Sequence, residues 1–230
     1  MSGDLTIAFT PDTPPYVLDE GSRGIEIELV RAALLPAGLD FQVRQMPYGE
    51  LADAVNRRAV DAAATVIQAD DGTYYSDEYI DFHNAAIVKR GSGIEIPTVA
   101  ALAGCSIVAW ENAWQDLGPE FASLFSPGSQ EAGRRGYREI GDQREQVEMF
   151  WQGAADVIVI DVAVMEWFSR DLYGTTEDRE PLQLFRIFPG ETRFRISFRS
   201  ETLRDTFNSG LQQIRATGLY QQIHDRYLRG

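Results

Sequence analysis

Apolar and polar positions alternate along the first third of the chain in a way that predicts strands and helices in turn. Residues 5–9 (LTIAF) form an apolar run typical of a strand. Residues 24–38 have helical spacing, with Ile27, Val30 and Leu34 on one face. The alternation then repeats, and the resulting βαβαβ order predicts a parallel sheet with helices on its faces. The later members are a strand at 39–46, a helix at 48–60 and a strand at 61–67.

A second series of the same kind begins after residues 85–97, whose glycines and Pro97 mark a crossing point. Asp142 followed by Glu145 has the spacing of a capping box, which predicts a helix start there. The chain ends with two strand patterns and two helical patterns. The predicted strands of this part are 105–110, 137–140, 155–160, 182–188 and 193–198, and the predicted helices are 98–104, 115–125, 142–153, 161–174, 201–217 and 218–228.

Composition narrows the class of protein without giving a function. The 230 residues are 44% hydrophobic and 24% charged, which is ordinary for a globular protein and sufficient to bury a core. A net charge of −14 argues against a nucleic-acid partner, because such affinity depends on basic contacts to phosphate. No apolar run approaches the roughly 20 residues of a membrane span, and the N-terminal sequence lacks the pattern of a signal peptide.

The residue types that carry common enzyme and metal chemistry are sparse. One cysteine, Cys105, allows no intramolecular disulfide and no cysteine metal cluster. The two histidines, His83 and His224, are far apart in sequence. The sequence has no zinc, phosphate-loop, dinucleotide or serine-nucleophile motif. We therefore expect neither a metal nor another cofactor.

Five motifs occur in the order found in one family of binding proteins. They are a Pro-Pro-aromatic turn before a glycine and an acidic helix start (14–28), an aromatic-led helix ending in a strand entry (48–64), YSDEY (75–79), GAADVIVID (153–161) and a C-terminal helix pair (203–228). Each motif is loose alone, but together they cover nearly the whole chain. The sequence thus resembles the family 3 bacterial extracellular solute-binding proteins, the amino-acid receptors of ABC importers.

The resemblance implies a two-lobed α/β fold of the periplasmic-binding-protein type II, with two crossover strands as a hinge. Ligands would bind between the lobes, and closure would be a hinge motion. A monomer, a small-molecule ligand, an ABC permease partner and a periplasmic location are implied as well, with any signal peptide removed or outside this chain. The implied bounds are 1–88 plus 190–230 for lobe 1, 93–186 for lobe 2, and 89–92 and 187–189 for the hinge.

Five residues of lobe 1 are candidates for ligand contact. Tyr16 follows two prolines that restrict its loop, which could present an aromatic wall, and Tyr48 stands where the family often has a cleft aromatic. Packing of the loop is the alternative interpretation for these rings. Thr65 to Gln68 end the strand whose equivalent in the family receives a ligand ammonium group, and Asp70 lies in the acidic loop that follows.

Five further candidates belong to lobe 2. Glu111, Asn112 and Ala113 follow a predicted strand, where the family usually has a Gly-Thr/Ser turn whose amides and hydroxyl bind the ligand carboxylate. Trp110, at the end of that strand, is a candidate cleft aromatic, with packing of the lobe as the alternative. Here the amides remain and the hydroxyl is lost. Asp161 matches the family position whose carboxylate pairs with the ligand amino group; capping of the helix 162–173 is the alternative, and both can hold at once.

The loop at 68–79 departs from the family at its most informative residue. In amino-acid receptors this loop carries an arginine that grips the ligand carboxylate. This chain has no arginine there, and Asp70 or Asp71 falls near that place. A carboxylate cannot replace a guanidinium as an anion clamp, because its charge is reversed. Other candidates for such a clamp are Arg44, Arg90 and Arg195.

The predicted function is a solute-binding protein for a small polar ligand, which could be cationic and lacks the usual carboxylate recognition. Two alternatives stay open. One is a ligand-sensing extracytoplasmic domain of a membrane kinase or cyclase. The other is a dehydratase-like enzyme on the same scaffold, with Glu111 as a general acid. We expect a binding protein rather than an enzyme, because no second catalytic group is placed beside Glu111.

Overall fold

The computed structural model describes residues 5–129 and 136–228, and the chain divides into two compact units. Unit 1 comprises Met1–Asp81 with Arg193–Gly230, and unit 2 comprises Phe82–Thr192. Each unit contains one mixed β-sheet and several helices, so the predicted α/β class is confirmed. None of the described helices has the length and hydrophobicity that crossing a membrane requires.

The sheet of unit 1 has six strands. Across the sheet they are β2 (Phe41–Gln45), β1 (Leu5–Phe9), β3 (Ala62–Val66), β11 (Thr192–Phe198) and β4 (Tyr74–Tyr75), and β5 (Ile80–Phe82) also pairs with β11. The first three strands are parallel, as their βαβαβ order predicts. Strand β11 is antiparallel to β3 and β4, which the sequence pattern did not predict.

Four α-helices complete the described part of unit 1. They are α1 (Ile25–Leu34), α2 (Tyr48–Ala54), α7 (Glu201–Ala216) and α8 (Leu219–Leu228). The predicted inner face of α1 is confirmed, since Ile27, Val30 and Leu34 are fully buried. Helix α7 crosses α1 at Gly210, where a β-carbon would lie 1.8 Å from the carbonyl oxygen of Ala33. The glycine therefore permits a backbone approach that no larger residue could make.

The sheet of unit 2 has five strands. In order they are β10 (Leu182–Phe185), β6 (Asn84–Lys89), β9 (Val157–Asp161), β7 (Ile107–Ala109) and β8 (Tyr137–Glu139). Strand β6 pairs with β9 and β10 on its two sides, so residues 84–88 lie in unit 2, whereas the family resemblance places them in lobe 1. The hinge at 89–92 and 187–189 stays a prediction, and residues 90–92 form a 3₁₀ turn.

Five helices follow residue 97 in the described part of unit 2, where the sequence pattern predicts four. They are a 3₁₀ helix (Val99–Gly104), α3 (Ala113–Asp116), α4 (Pro119–Phe125), α5 (Gln143–Trp151) and α6 (Val162–Tyr173). The single helix predicted at 115–125 is wrong, because Gly118 has a φ of 91° and Pro119 starts a new helix. The predicted cap of α5 is confirmed: Asp142 accepts from the N–H of Arg144 at 2.8 Å.

Gly210→Ala should lower the free energy of unfolding by about 2 kcal/mol, because the added methyl group overpacks the contact with α1. Helix propensity alone predicts the opposite, a rise of about 1 kcal/mol in the free energy of unfolding. The sign of the measured difference therefore tests the close approach of the two helices. Gly104→Ala is the control, since the β-carbon that the alanine adds would meet no neighbouring group within 4 Å. Urea denaturation measures both, and a more stable Gly210→Ala variant would contradict the packing.

Candidate functional site

The loop after β1 is fixed to the start of α1 through backbone hydrogen bonds. The carbonyl oxygens of Pro15 and Tyr16 accept from the N–H groups of Ile25 and Glu26 at 3.1 and 3.0 Å. Gly24 has a φ of 123°, and a β-carbon there would lie 2.2 Å from the Tyr16 oxygen. The glycine of the motif is therefore needed because the backbone at Gly24 passes directly against the carbonyl group of Tyr16. Tyr16 is only 3% exposed.

The other lobe 1 candidates range from packed to exposed. Tyr48 is half-buried at the start of α2, and its ring meets that of Phe194 edge-on at 6.3 Å. It also packs against the apolar cluster between α2 and the sheet, which supports a packing role. Gln68 and Asp70 are exposed, in the segment that follows β3.

Thr65 is held in a strained conformation at the end of β3. Its φ is 57°, in the left-handed region that β-branched residues rarely adopt, which costs on the order of 1–3 kcal/mol. The register between β3 and β11 shifts here, because Val66 faces Arg195 while Ala63 faces Ser197. Thr65 therefore belongs to a β-bulge, a feature that bends a strand and redirects its side chains.

The hydroxyl group of Thr65 points inward to Glu26, a residue that sequence reasoning did not select. It donates to Oε2 of Glu26 at 2.6 Å, and the hydroxyl of Tyr79 donates to the same oxygen. Glu26 is fully buried, and its Oε1 has no hydrogen-bond partner among the described residues. Burial raises the pKa of Glu26 and, together with the nearby carboxyl group, raises the pKa of Tyr79 well above its ordinary value.

The acidic loop after β3 is organised by Asp71. One carboxylate oxygen accepts from the N–H of Thr73 at 3.0 Å and from its hydroxyl at 2.8 Å, and the other accepts from the hydroxyl of Tyr75 at 2.8 Å. Asn56 donates to this second oxygen at 3.3 Å. Burial alone would raise the pKa of Asp71, but these hydrogen bonds outweigh it and the pKa is lowered. The carboxylate is therefore an internal acceptor that shapes the loop.

Two of the three arginines considered as substitute clamps are engaged within unit 1. Arg44 donates to the carbonyl oxygen of Ala59 at 3.1 Å. Arg195 donates to the carbonyl oxygen of Ser76 at 2.6 Å and to the carboxylate of Glu78 at 3.2 Å. Arg195 thus ties β11 to the residues that follow β4. Arg90 lies in the 3₁₀ turn at 90–92 of unit 2.

The four lobe 2 candidates at 110–113 form a tight turn between β7 and α3. Trp110 is buried and its indole N–H donates to Asp116 at 3.1 Å. Asn112 has a φ of 61°, and its N–H donates to Glu139 at 3.1 Å. The N–H of Ala113 donates back to the carbonyl oxygen of Trp110 at 3.2 Å. Two of the turn amides that the resemblance assigns to a ligand carboxylate, those of Asn112 and Ala113, are therefore used within unit 2, while Glu111 is half-buried.

Asp161 caps α6 from the end of β9. One carboxylate oxygen accepts from the N–H groups of Ala163 and Val164 at 2.9 and 3.1 Å. The other accepts from the N–H of His83 at 2.7 Å, and the residue is 2% exposed. The predicted capping role is thereby confirmed. Contact of Asp161 with a ligand stays a prediction.

Comparison with known proteins identifies relatives of the whole chain. The sequence model of the bacterial extracellular solute-binding proteins, family 3, matches residues 5–230. The arginine-binding extracellular protein ArtP of Bacillus subtilis (strain 168) is 20% identical over 234 residues, which are 98% of this chain and 86% of that protein.

Solved structures support the fold. The arginine-, lysine-, histidine-binding protein ArtJ from the thermophilic bacterium Geobacillus stearothermophilus matches with a TM-score of 0.77 and 16% identity, over 99% of this chain and 96% of that one. A histidine kinase sensor domain with similarity to periplasmic binding proteins matches with a TM-score of 0.78 and 16% identity, over 98% of this chain and 96% of that one. The predicted periplasmic-binding-protein fold is confirmed.

Asp161→Ala should lower the free energy of unfolding by about 2–4 kcal/mol, because three backbone N–H groups would lose a buried acceptor. Asp142→Ala is the matched control: it removes the exposed cap of α5 and should cost about 1 kcal/mol. Urea denaturation compares the two variants. Equal losses would show that burial adds nothing to the cap at Asp161.

The stability contributed by Glu26 should decrease with pH. Its raised pKa means that this stability is fully present below the ordinary value of 4.5 and is lost as pH rises through the higher value of the folded state. Relative to the always neutral Glu26→Gln variant, the native chain should lose up to about 1.4 kcal/mol per pH unit in that window. Urea denaturation at a series of pH values tests this, and a difference that does not vary with pH would contradict it.

Proposed function

The chain belongs to the bacterial extracellular solute-binding proteins, family 3, and on that basis we propose that it delivers a small, cation-bearing solute to an ABC importer. The family and the relatives found are binding proteins, and we propose a binding role without catalysis. The proposed location is the periplasm, consistent with the extracellular family. The proposed partner is the permease of the importer, which would recognise the ligand-bound protein.

One observation carries the proposed ligand chemistry: the loop at 68–79 has no arginine and is closed on Asp71 instead. In the amino-acid receptors that this sequence resembles, the arginine of this loop grips the ligand carboxylate. A loop without that guanidinium removes the strongest reason for a ligand to carry a carboxylate. The remaining charge favours a cation, because the chain carries a net charge of −14.

The turn at 110–113 supports the same conclusion from unit 2. The Asn112 amide donates to Glu139 and the Ala113 amide donates to Trp110, so both are already satisfied. A ligand carboxylate would have to displace these internal acceptors. We therefore propose that the solute is recognised through its cationic groups, with Asp161 and the exposed Gln68 and Asp70 as candidate contacts.

Relatives with stated ligands agree with a cationic solute. ArtP is named as an arginine-binding protein, and ArtJ is named as an arginine-, lysine-, histidine-binding protein. The sensor-domain alternative shares the fold, as the histidine kinase structure illustrates, and the fold does not separate the two roles. The receptor role is preferred here because it agrees with the name of the sequence relative as well as with the fold.

A matched ligand pair tests this proposal: L-arginine and agmatine, which is arginine without its carboxylate. Both should raise Tm, and their dissociation constants should agree within about tenfold, because no arginine clamp distinguishes them. A ligand at about 100 times its Kd adds about 2.7 kcal/mol to the free energy of unfolding, enough to shift Tm by several degrees. Isothermal titration calorimetry would then give the affinities.

L-glutamine and L-glutamate are the control ligands, since they keep the carboxylate and lack the guanidinium. Weak or absent binding of both is expected. Tighter binding of either one than of arginine and agmatine would contradict the proposed ligand class. Binding of arginine with no binding of agmatine would show that carboxylate recognition persists through other residues.

A further inference from the structure

Three separate segments of the chain meet at one buried carboxyl group in unit 1. Glu26 comes from the acidic helix start, Thr65 from the strand before the acidic loop, and Tyr79 ends the YSDEY motif. The hydroxyl groups of Thr65 and Tyr79 both donate to Oε2 of Glu26. None of the three residues is more than 3% exposed. The fold therefore brings together residues from three separate elements at this point.

The contact lies on the strained residue of the strand. Thr65 has a φ of 57°, and Ala64 and Thr65 together face the single residue Ile196 of β11. On the other side of β11, the hydroxyl group of Ser76 accepts from the N–H of Ile196 at 2.9 Å. Two residues of the YSDEY motif, Ser76 and Tyr79, thus act on the same bulge. A strained conformation persists only where its surroundings hold it in place. Around the bulge at Thr65, the surroundings include the side-chain hydrogen bonds to Glu26 and from Ile196 to Ser76.

The bulge decides where the chain leaves the sheet. Val66 is 3% exposed, whereas the next residue, Ile67, is 46% exposed. Residues 67–70 are all exposed. A residue in the left-handed conformation turns the backbone sharply, so the direction of residues 66–68 depends on Thr65 keeping that conformation.

We propose that Glu26 is a positioning residue for solute binding, which acts by holding Thr65 in the left-handed conformation that directs residues 66–68. The inference rests on the proposed function, in which this strand end contacts the solute. The hydroxyl group of Thr65 is committed to Glu26 and serves the backbone, rather than the solute. Glu26 thus affects the ligand without touching it.

Substitutions at Thr65 separate this role from direct contact. Thr65→Ala removes the hydroxyl group but keeps a β-carbon, so the left-handed conformation is no longer held and remains costly. Thr65→Gly also lacks the hydroxyl group but adopts positive φ without steric cost. Affinity should therefore fall by about tenfold or more in Thr65→Ala and recover in Thr65→Gly. Thr65→Ser should behave like the native chain, because its hydroxyl group can still reach Glu26.

The same logic applies at Glu26. Glu26→Gln keeps an oxygen acceptor and should retain most of the affinity, whereas Glu26→Leu removes the acceptor and should weaken binding as much as Thr65→Ala does. The loss caused by Glu26→Leu should shrink when it is combined with Thr65→Gly, because the glycine no longer needs to be held. Thr206→Ala, which removes a half-buried hydroxyl group on α7, is the control and should leave affinity unchanged.

The affinities are measured by calorimetry with L-arginine and agmatine as probes. Equal losses in Thr65→Ala and Thr65→Gly would overturn the proposal, because they would show that the hydroxyl group contacts the solute. Should Glu26→Leu fail to fold, the pair of Thr65 variants still decides the question.

A second readout needs no ligand and separates this inference from the proposed function. In labelled protein, the backbone carbon shifts and the HN–Hα coupling of residue 65 distinguish left-handed from extended conformation. They should remain left-handed in Thr65→Gly, Thr65→Ser and Glu26→Gln, and change in Thr65→Ala and Glu26→Leu, with the amide shifts of 66–68 changing in parallel. Retention of the native shifts in Thr65→Ala and Glu26→Leu would overturn the proposal even if neither probe binds.

Discussion

The hydrogen bonds to the carboxyl group of Glu26 connect the parts of unit 1 that carry its candidate ligand residues. Through its side chain, Glu26 holds Thr65 at the end of β3 and Tyr79 before β5. Through its backbone N–H, the same residue fixes the carbonyl oxygen of Tyr16 in the loop after β1. Two loops at the ends of parallel strands, where ligands collect in α/β sheets, therefore share one anchor. A buried carboxyl group is costly unless it has hydrogen-bond partners. The need for these partners favours the one arrangement of the segments that provides them.

Several acidic side chains that attract attention in the sequence act as internal acceptors. Asp71 closes the loop after β3, Asp161 caps α6, and Asp142 caps α5. Their positions follow from unsatisfied N–H groups at helix starts and turns, which a carboxylate satisfies well. These three carboxylates therefore stabilise the loop and the helix starts that the strands position.

Local patterns in the sequence were sufficient for most elements of the fold and for few details of the site. Apolar runs and helical spacing depend on neighbouring residues, so β3, α1 and the cap at Asp142 were predictable. The insertion of β11 between β3 and β4 was not, because it pairs residues more than a hundred positions apart. The strain at Thr65 is of the same kind, because the hydroxyl groups and the Glu26 carboxyl group beside it come from separate elements that only the fold brings together.

The hydrogen bond between Glu139 and the amide of Asn112 has a consequence for the selectivity of this protein under the proposed function. Glu139 is an intramolecular competitor: tethered at the end of β8, it is present at a high effective concentration beside the amide, whatever solutes are outside. Under the proposed function, discrimination against carboxylates then needs no clash and no change in the shape of unit 2. It needs only one acidic side chain of the right length, and its loss would return the amide to solutes that the protein now disfavours.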